Sequence, residues 1–331
     1  MRIVCFFCLL AACKSERDLF ELTGEDIWYQ ADNNEVDLLW VVDNSNSMKE
    51  EQVSLADGFS TFIQEMEETG TDFHLGVITT SFDTGDLNRG KLLGDPPVIT
   101  QNDDYVAAFK SRVQVGGGGS QKEKGLEAAT YAVSPVMTTG PNSGFLRPDA
   151  QLLILVVSDE DDCSDGGVLD NDPPEACYTK EDELIPVTEF VVELRELKAS
   201  ADLVMLSAIV GPLETEAAGC NDTWPGHRYM EVAKYTGGQT ANICETEWGN
   251  MLWELGLNAS GVASSFKTSR AAQPDSIEVY VDDVEIEESA SNGWTYDSDT
   301  WYLHFHQTAI PPRGSEIKCT YEILAGAEEP G

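Results

Sequence analysis

Residues 36–48 read Val-Asp-Leu-Leu-Trp-Val-Val-Asp-Asn-Ser-Asn-Ser-Met. A strand apolar at nearly every position must be covered on both faces, and a parallel sheet flanked by helices meets that demand. The run delivers Asp43, Ser45 and Ser47 as a D-x-S-x-S cluster at its carboxyl end, the place where ligands gather in open α/β sheets. One carboxylate and two hydroxyls converging there suit a hard cation such as Mg²⁺. Taken alone, the same residues also make an ordinary solvated turn, because Asp and Ser bond readily to nearby backbone.

Two further segments shift the balance toward a site. Residues 116–120 are Gly-Gly-Gly-Gly-Ser, ahead of a helical pattern with Leu126, Ala129, Val133 and Met137 on one face. Ser120 thus places a hydroxyl on a glycine loop before a helix, where it can approach the same metal. Residues 152–157 form a second buried-strand run that ends in Ser158 and Asp159.

Strand and helix signals alternate along this region. A helix carrying Leu55, Phe59, Phe62 and Met66 leads to a strand over 72–79. Further on, Leu184, Val187, Val191 and Leu194 mark a helix before a strand over 203–210. A short helix near 229–235 stops at Gly237-Gly238, then a strand over 239–244 precedes a helix with Trp248, Leu252 and Leu255. The expected fold class is therefore α/β, doubly wound, with a mostly parallel sheet and helices on both faces.

With these pieces in order, the chain resembles a von Willebrand factor type A domain carrying a metal-ion-dependent adhesion site. Asp43, Ser45 and Ser47 match that family's first motif, and Asp159 matches its last. Ser120 stands where the family has Thr, five residues before Gly125-Leu126, and Glu160 stands where it usually has Gly. The resemblance spans residues 34–260. It implies that Asp43, Ser45, Ser47, Ser120 and Asp159 hold Mg²⁺, Mn²⁺ or Ca²⁺, and that a partner protein's exposed Asp or Glu completes the coordination.

The amino terminus bears on location. Arg2, an apolar run over 3–10 and Leu10-Ala11-Ala12-Cys13 resemble a bacterial lipoprotein cleavage box, which would put a lipid on Cys13, with an ordinary secretory signal or a buried strand as the alternatives. The run is too short to span a bilayer, so the lipid would be the sole membrane anchor, facing the periplasm or the cell surface. The expected divisions are 1–12 signal peptide, 13–33 tether, 34–262 type A domain and 263–331 a small antiparallel β domain.

Cysteine usage fits an oxidising compartment. Cys163 and Cys177 bracket an acidic loop, Cys220 and Cys244 bracket a second segment, and either pair is placed to form a disulfide. Cys319 is left over, within an alternating strand pattern that buries it. With 59 acidic residues against 20 basic, the formal charge is −39, which disfavours nucleic acid as a partner. Glu160, Asp161, Asp162, Asp165, Asp170 and Asp172 crowd the loop after the second strand run and read as a solvated acidic loop, since their spacing departs from a calcium-loop pattern.

Beyond residue 261 the periodicity turns to alternation, with strand signals over 276–282, 293–296, 301–306 and 316–323. His304 and His306 share a strand face there, and a solvent-facing pair is expected rather than a zinc site. No G-x-S-x-G, phosphate-loop or G-x-G-x-x-G signature occurs. The chain is accordingly expected to be no enzyme. The expected function is metal-dependent adhesion, with a structural envelope protein or a metal-dependent hydrolase as alternatives.

Overall fold

A computed structural model of the chain describes residues 22–30, 34–68, 70–214, 220, 223–245, 248–259, 263–324 and 326. Cys13 and the expected signal peptide lie outside the described residues. The chain begins with β1 (Thr23–Tyr29), β2 (Glu35–Val42), α1 (Lys49–Glu68), β3 (Asp72–Thr79), β4 (Ile99–Thr100), α2 (Tyr105–Val113), α3 (Gly125–Ala132) and α4 (Pro135–Thr138). It continues with β5 (Gln151–Ser158), α5 (Ala176–Thr179), α6 (Val187–Arg195), β6 (Val204–Val210), α7 (His227–Thr236), β7 (Thr240–Asn242) and α8 (Trp248–Ala259). The last part carries β8 (Ser265–Lys267), β9 (Glu278–Val281), β10 (Val284–Ile286), β11 (Trp294–Asp297), β12 (Tyr302–Phe305) and β13 (Glu316–Glu322).

Six strands form one sheet in the order β4-β3-β2-β5-β6-β7, antiparallel at β3–β4 and parallel elsewhere. The pleat sends Val36, Leu38, Trp40 and Val42 to one face and Leu39 and Val41 to the other. On the first face Trp40 meets Phe62 at 5.0 Å and Phe109 at 5.2 Å, between α1 and α2. On the second, Leu126, Phe190 and Tyr229 from α3, α6 and α7 complete the core. Asp37 interrupts the apolar run without being orphaned, because it accepts the Arg147 backbone N–H at 2.7 Å and its Nε at 2.8 Å.

The other seven strands make two wholly antiparallel sheets, ordered β1-β13-β9-β10 and β11-β12-β8. Their shared core holds Phe266, Trp294, Leu303, Phe305, Ile317 and Tyr321, with Trp28 packed against it. This corrects the expected fold class. The described chain is mixed α/β with two antiparallel sheets and one mixed sheet, rather than a doubly wound domain with a small appendix. The reason is a pairing distant in sequence: Thr23–Tyr29, inside the expected tether, pairs along its whole length with Glu316–Glu322. Local alternation carries no information about such a partner.

Candidate functional site

The ends of β2 and β5 lie side by side, fixed by the Asp43 N–H donating to the Val157 carbonyl at 2.9 Å. Asp43 is fully buried. Its Oδ1 accepts the Ser45 N–H at 2.7 Å and its Oδ2 accepts the Ser158 hydroxyl at 2.7 Å. The Ser45 and Ser47 hydroxyls are 3.0 Å apart, and Ser47 acts to lower the Asp159 carboxyl against the larger effect of burial. The structure therefore gathers four of the expected site residues, Asp43, Ser45, Ser47 and Asp159, at the ends of β2 and β5.

Ser120 is oriented differently. Its hydroxyl donates to Asp83 Oδ2 at 2.7 Å and accepts the Lys122 N–H at 3.1 Å. The glycine loop is nevertheless pinned to the cluster. Gln52 donates to the Asp43 and Gly116 carbonyls, both at 2.9 Å, and accepts the Gly116 N–H at 3.0 Å. Gly119 donates to the Asn44 carbonyl at 2.8 Å, and a Cβ on Gly119 would fall 2.3 Å from the Asn44 side chain. A side chain at this position would have to displace the Asn44 amide, which accepts the Ser81 hydroxyl at 2.8 Å.

Asp159 has the feature most informative about chemistry. Its Oδ1 is buried and has no hydrogen-bond partner, an arrangement that ordinarily costs free energy. Burial, and then the charge of Asp43, push its carboxyl up to about 7. Burial also raises Asp43 to about 6, against the hydrogen bonds from Ser45 and Ser158. These groups fit a divalent cation: two carboxylates, one with a free buried oxygen, and two neutral hydroxyls. Among the described residues, no group of three or more His, Cys, Asp or Glu is placed to hold a metal, so hydroxyls would have to contribute.

Sequence reasoning missed Glu123. It stands between Lys122 and Lys124, and all three side chains are buried. Burial first, and then the charges of Asp43 and Glu160, push Glu123 up to about 11, and its Oε1 has no partner. Lys122 donates to the carbonyls of Leu169 at 2.7 Å and Asp170 at 3.0 Å. Lys124 reaches Asp165 and Asp170, each at 2.6 Å, and Asp83 at 3.1 Å.

These lysines correct the reading of the acidic loop. Asp162 and Asp165 are buried, and Asp162 accepts the Leu126 N–H at 3.0 Å in the first turn of α3. Asp162, Asp165 and Asp170 are thus satisfied inside the protein, by Arg228, Lys124 and a helix N–H.

Both disulfides are present, Cys163–Cys177 with Cα atoms 5.2 Å apart and Cys220–Cys244 with Cα atoms 5.7 Å apart. Cys319 is a buried free thiol on β13, raised by burial to about 12. On β12, the His304 ring bonds the Ser265 hydroxyl at 2.8 Å, and the His306 ring just beyond it bonds the Thr295 hydroxyl at 2.9 Å. No described helix is long and apolar enough to cross a membrane.

No family model matches the chain, and no curated protein does. Among solved structures it is similar to proximal thread matrix protein 1 from the mussel byssus, at 13% identity and TM-score 0.40, over 74% of this chain and 52% of that one. It is similar to the pilus adhesin SpaC from Lactobacillus rhamnosus GG, at 13% identity and TM-score 0.39, over 91% of this chain and 40% of that one. A third is the minor pilin PilB from Streptococcus sanguinis, at 11% identity and TM-score 0.43, over 70% of this chain and 62% of that one. The chain thus spans about half or less of the first two proteins, and with every TM-score below 0.5 no property of theirs is carried over. The assignment to the von Willebrand factor type A family is withdrawn on these findings: no family model supports it, and no carboxylate-rich metal group stands among the described residues.

Proposed function

We propose that the chain is a binding protein of the bacterial cell envelope, anchored by a lipid on Cys13, that captures a partner protein through a divalent cation held by Asp43, Ser45, Ser47 and Asp159. The observation that carries this reading is the buried, unpartnered Asp159 Oδ1 beside the hydroxyl pair. A bound Mg²⁺, Mn²⁺ or Ca²⁺ would supply a charge-dense position for one more oxygen ligand, met by an Asp or Glu of the partner.

The chain's own residues hold this geometry ready. Ser158 and the Ser45 N–H orient Asp43, and Gln52 fixes the backbone beneath it. Ser120 would join after its hydroxyl turns from Asp83. The reading is one of binding: the hydroxyls face the carboxylates as a set of oxygen ligands for one cation.

Envelope extract passed over the immobilised protein tests it. A partner should be retained in Mg²⁺ and lost in EDTA or with Asp159→Asn, a change that keeps the side chain's size. Retention that ignores both changes ends the adhesion reading. A second reading, a cation that only stabilises the fold, draws on the crowding of Asp43, Glu123, Asp159 and Glu160. It predicts cation-dependent stability without cation-dependent capture. Palmitate-analogue labelling that marks the wild type and spares Cys13→Ser supports the anchor, whereas a labelled Cys13→Ser excludes it.

A further inference from the structure

Two loops closed by separate disulfides meet beside the cluster. Tyr178 directly follows Cys177, and Trp224 lies between Cys220 and Cys244. Their rings stack with centroids 4.7 Å apart and planes 23° apart. The pair is tied to the site through the backbone: the Trp224 N–H donates to the Asp159 carbonyl at 2.8 Å. Trp224 is 53% exposed, an unusual position for a large ring held by a stacked partner and a cross-linked loop. Rigid exposed Trp of this kind characterises the energetic centres of protein interfaces.

The surroundings select what such a ring would receive. Burial raises the pKa of the Tyr178 phenol, and the charge of Glu160 raises it further. The whole chain is strongly negative. A ring face attracts cations through its quadrupole, and nearby carboxylates add to that attraction. Between the two basic side chains, the planar guanidinium stacks on an indole and bonds a carboxylate at the same time.

We propose that Trp224, backed by Tyr178, is a docking position for an arginine of the partner, placed next to the position that takes the partner's carboxylate. This rests on the cation reading for its context but makes its own contact, so the two can fail separately.

The full-length, disulfide-bonded protein labelled with 5-fluorotryptophan supplies the test. Of the seven tryptophans, the Trp224 ¹⁹F resonance is the one missing from Trp224→Leu, an exposed change that leaves the fold in place. Titration with N-acetyl-arginine amide should move that resonance saturably, while the neutral isostere N-acetyl-citrulline amide should leave it in place. Added salt should weaken the arginine response several-fold. An unmoved Trp224 resonance, or an equal response to citrulline, overturns the proposal. A response to methyl glucoside instead of arginine also overturns it and marks the ring as a sugar platform. Loss of the Mg²⁺ response in Asp43→Ala reports on the cation site alone and leaves the arginine titration as an independent result.

Discussion

Lys124 Nζ lies 2.6 Å from Asp165 Oδ1, and both side chains are withdrawn from solvent, the lysine to 1% exposure and the aspartate to 0%. The contact joins the start of α3 to the loop that the Cys163–Cys177 disulfide closes. A basic residue four positions after Ser120 thereby organises the acidic side of the site.

Lys124→Met should therefore be severely destabilising. It would leave Asp165, Asp170 and Asp83 without their shared cation, and removing one partner of a buried ion pair costs about 3–5 kcal/mol. Urea denaturation of the variant against the wild type measures this. A loss under about 1 kcal/mol would mean that the network is solvated in solution.

Acid should act on the same network through Asp170. Burial pushes its carboxyl up, but hydrogen bonds from Lys124 and from the Thr84 hydroxyl and N–H outweigh this and hold it well below the usual range. A folded-state pKa below the unfolded value, about 3.9, gives stability that is fully present above that pH and drains away as pH falls toward the folded value. Between about pH 4 and pH 2, the unfolding free energy of Asp170→Asn should fall less steeply with acid than that of the wild type. Parallel slopes would refute the assignment.

Cation addition should stabilise the protein. Ligand that binds the folded state alone adds RT ln(1 + [L]/Kd), about 2.7 kcal/mol at a hundredfold excess over Kd. Millimolar Mg²⁺ or Mn²⁺ should raise the Tm of the wild type, and Asp159→Asn, which replaces the carboxylate with a neutral amide, should respond far less. An equal rise in both proteins would place the cation elsewhere.

The Cys163–Cys177 link spans 14 residues, and loops of that size are stabilised by about 3 kcal/mol when cross-linked. Replacing both cysteines with Ala should lower stability by that order. It should also loosen Tyr178 against Trp224, seen as a shift of the Trp224 ¹⁹F resonance, whereas an unchanged resonance would show that the ring pair holds without the cross-link.

What the sequence determined by itself was local. The apolar runs placed β2, β5 and β6 to within a residue or two, because a strand buried on both faces has almost no freedom in composition. The D-x-S-x-S spacing likewise brought Asp43, Ser45 and Ser47 together, since a turn at a strand end gathers its own neighbours. The disulfide pairs were visible as bracketed loops. Only the tertiary structure decided the rest, and it did so through contacts between distant segments. Glu123 and Lys124 look like surface charge until the loop over 160–177 closes on them, and Thr23–Tyr29 looks like a tether until β13 arrives nearly the whole chain later. Ser120 has the residue type and spacing for the cluster, but the direction of its hydroxyl was set by Asp83, which no local pattern announces. Side-chain type and spacing are written along the chain. The partner that satisfies each buried charge or open strand edge is chosen only when the fold brings the candidates within hydrogen-bond reach.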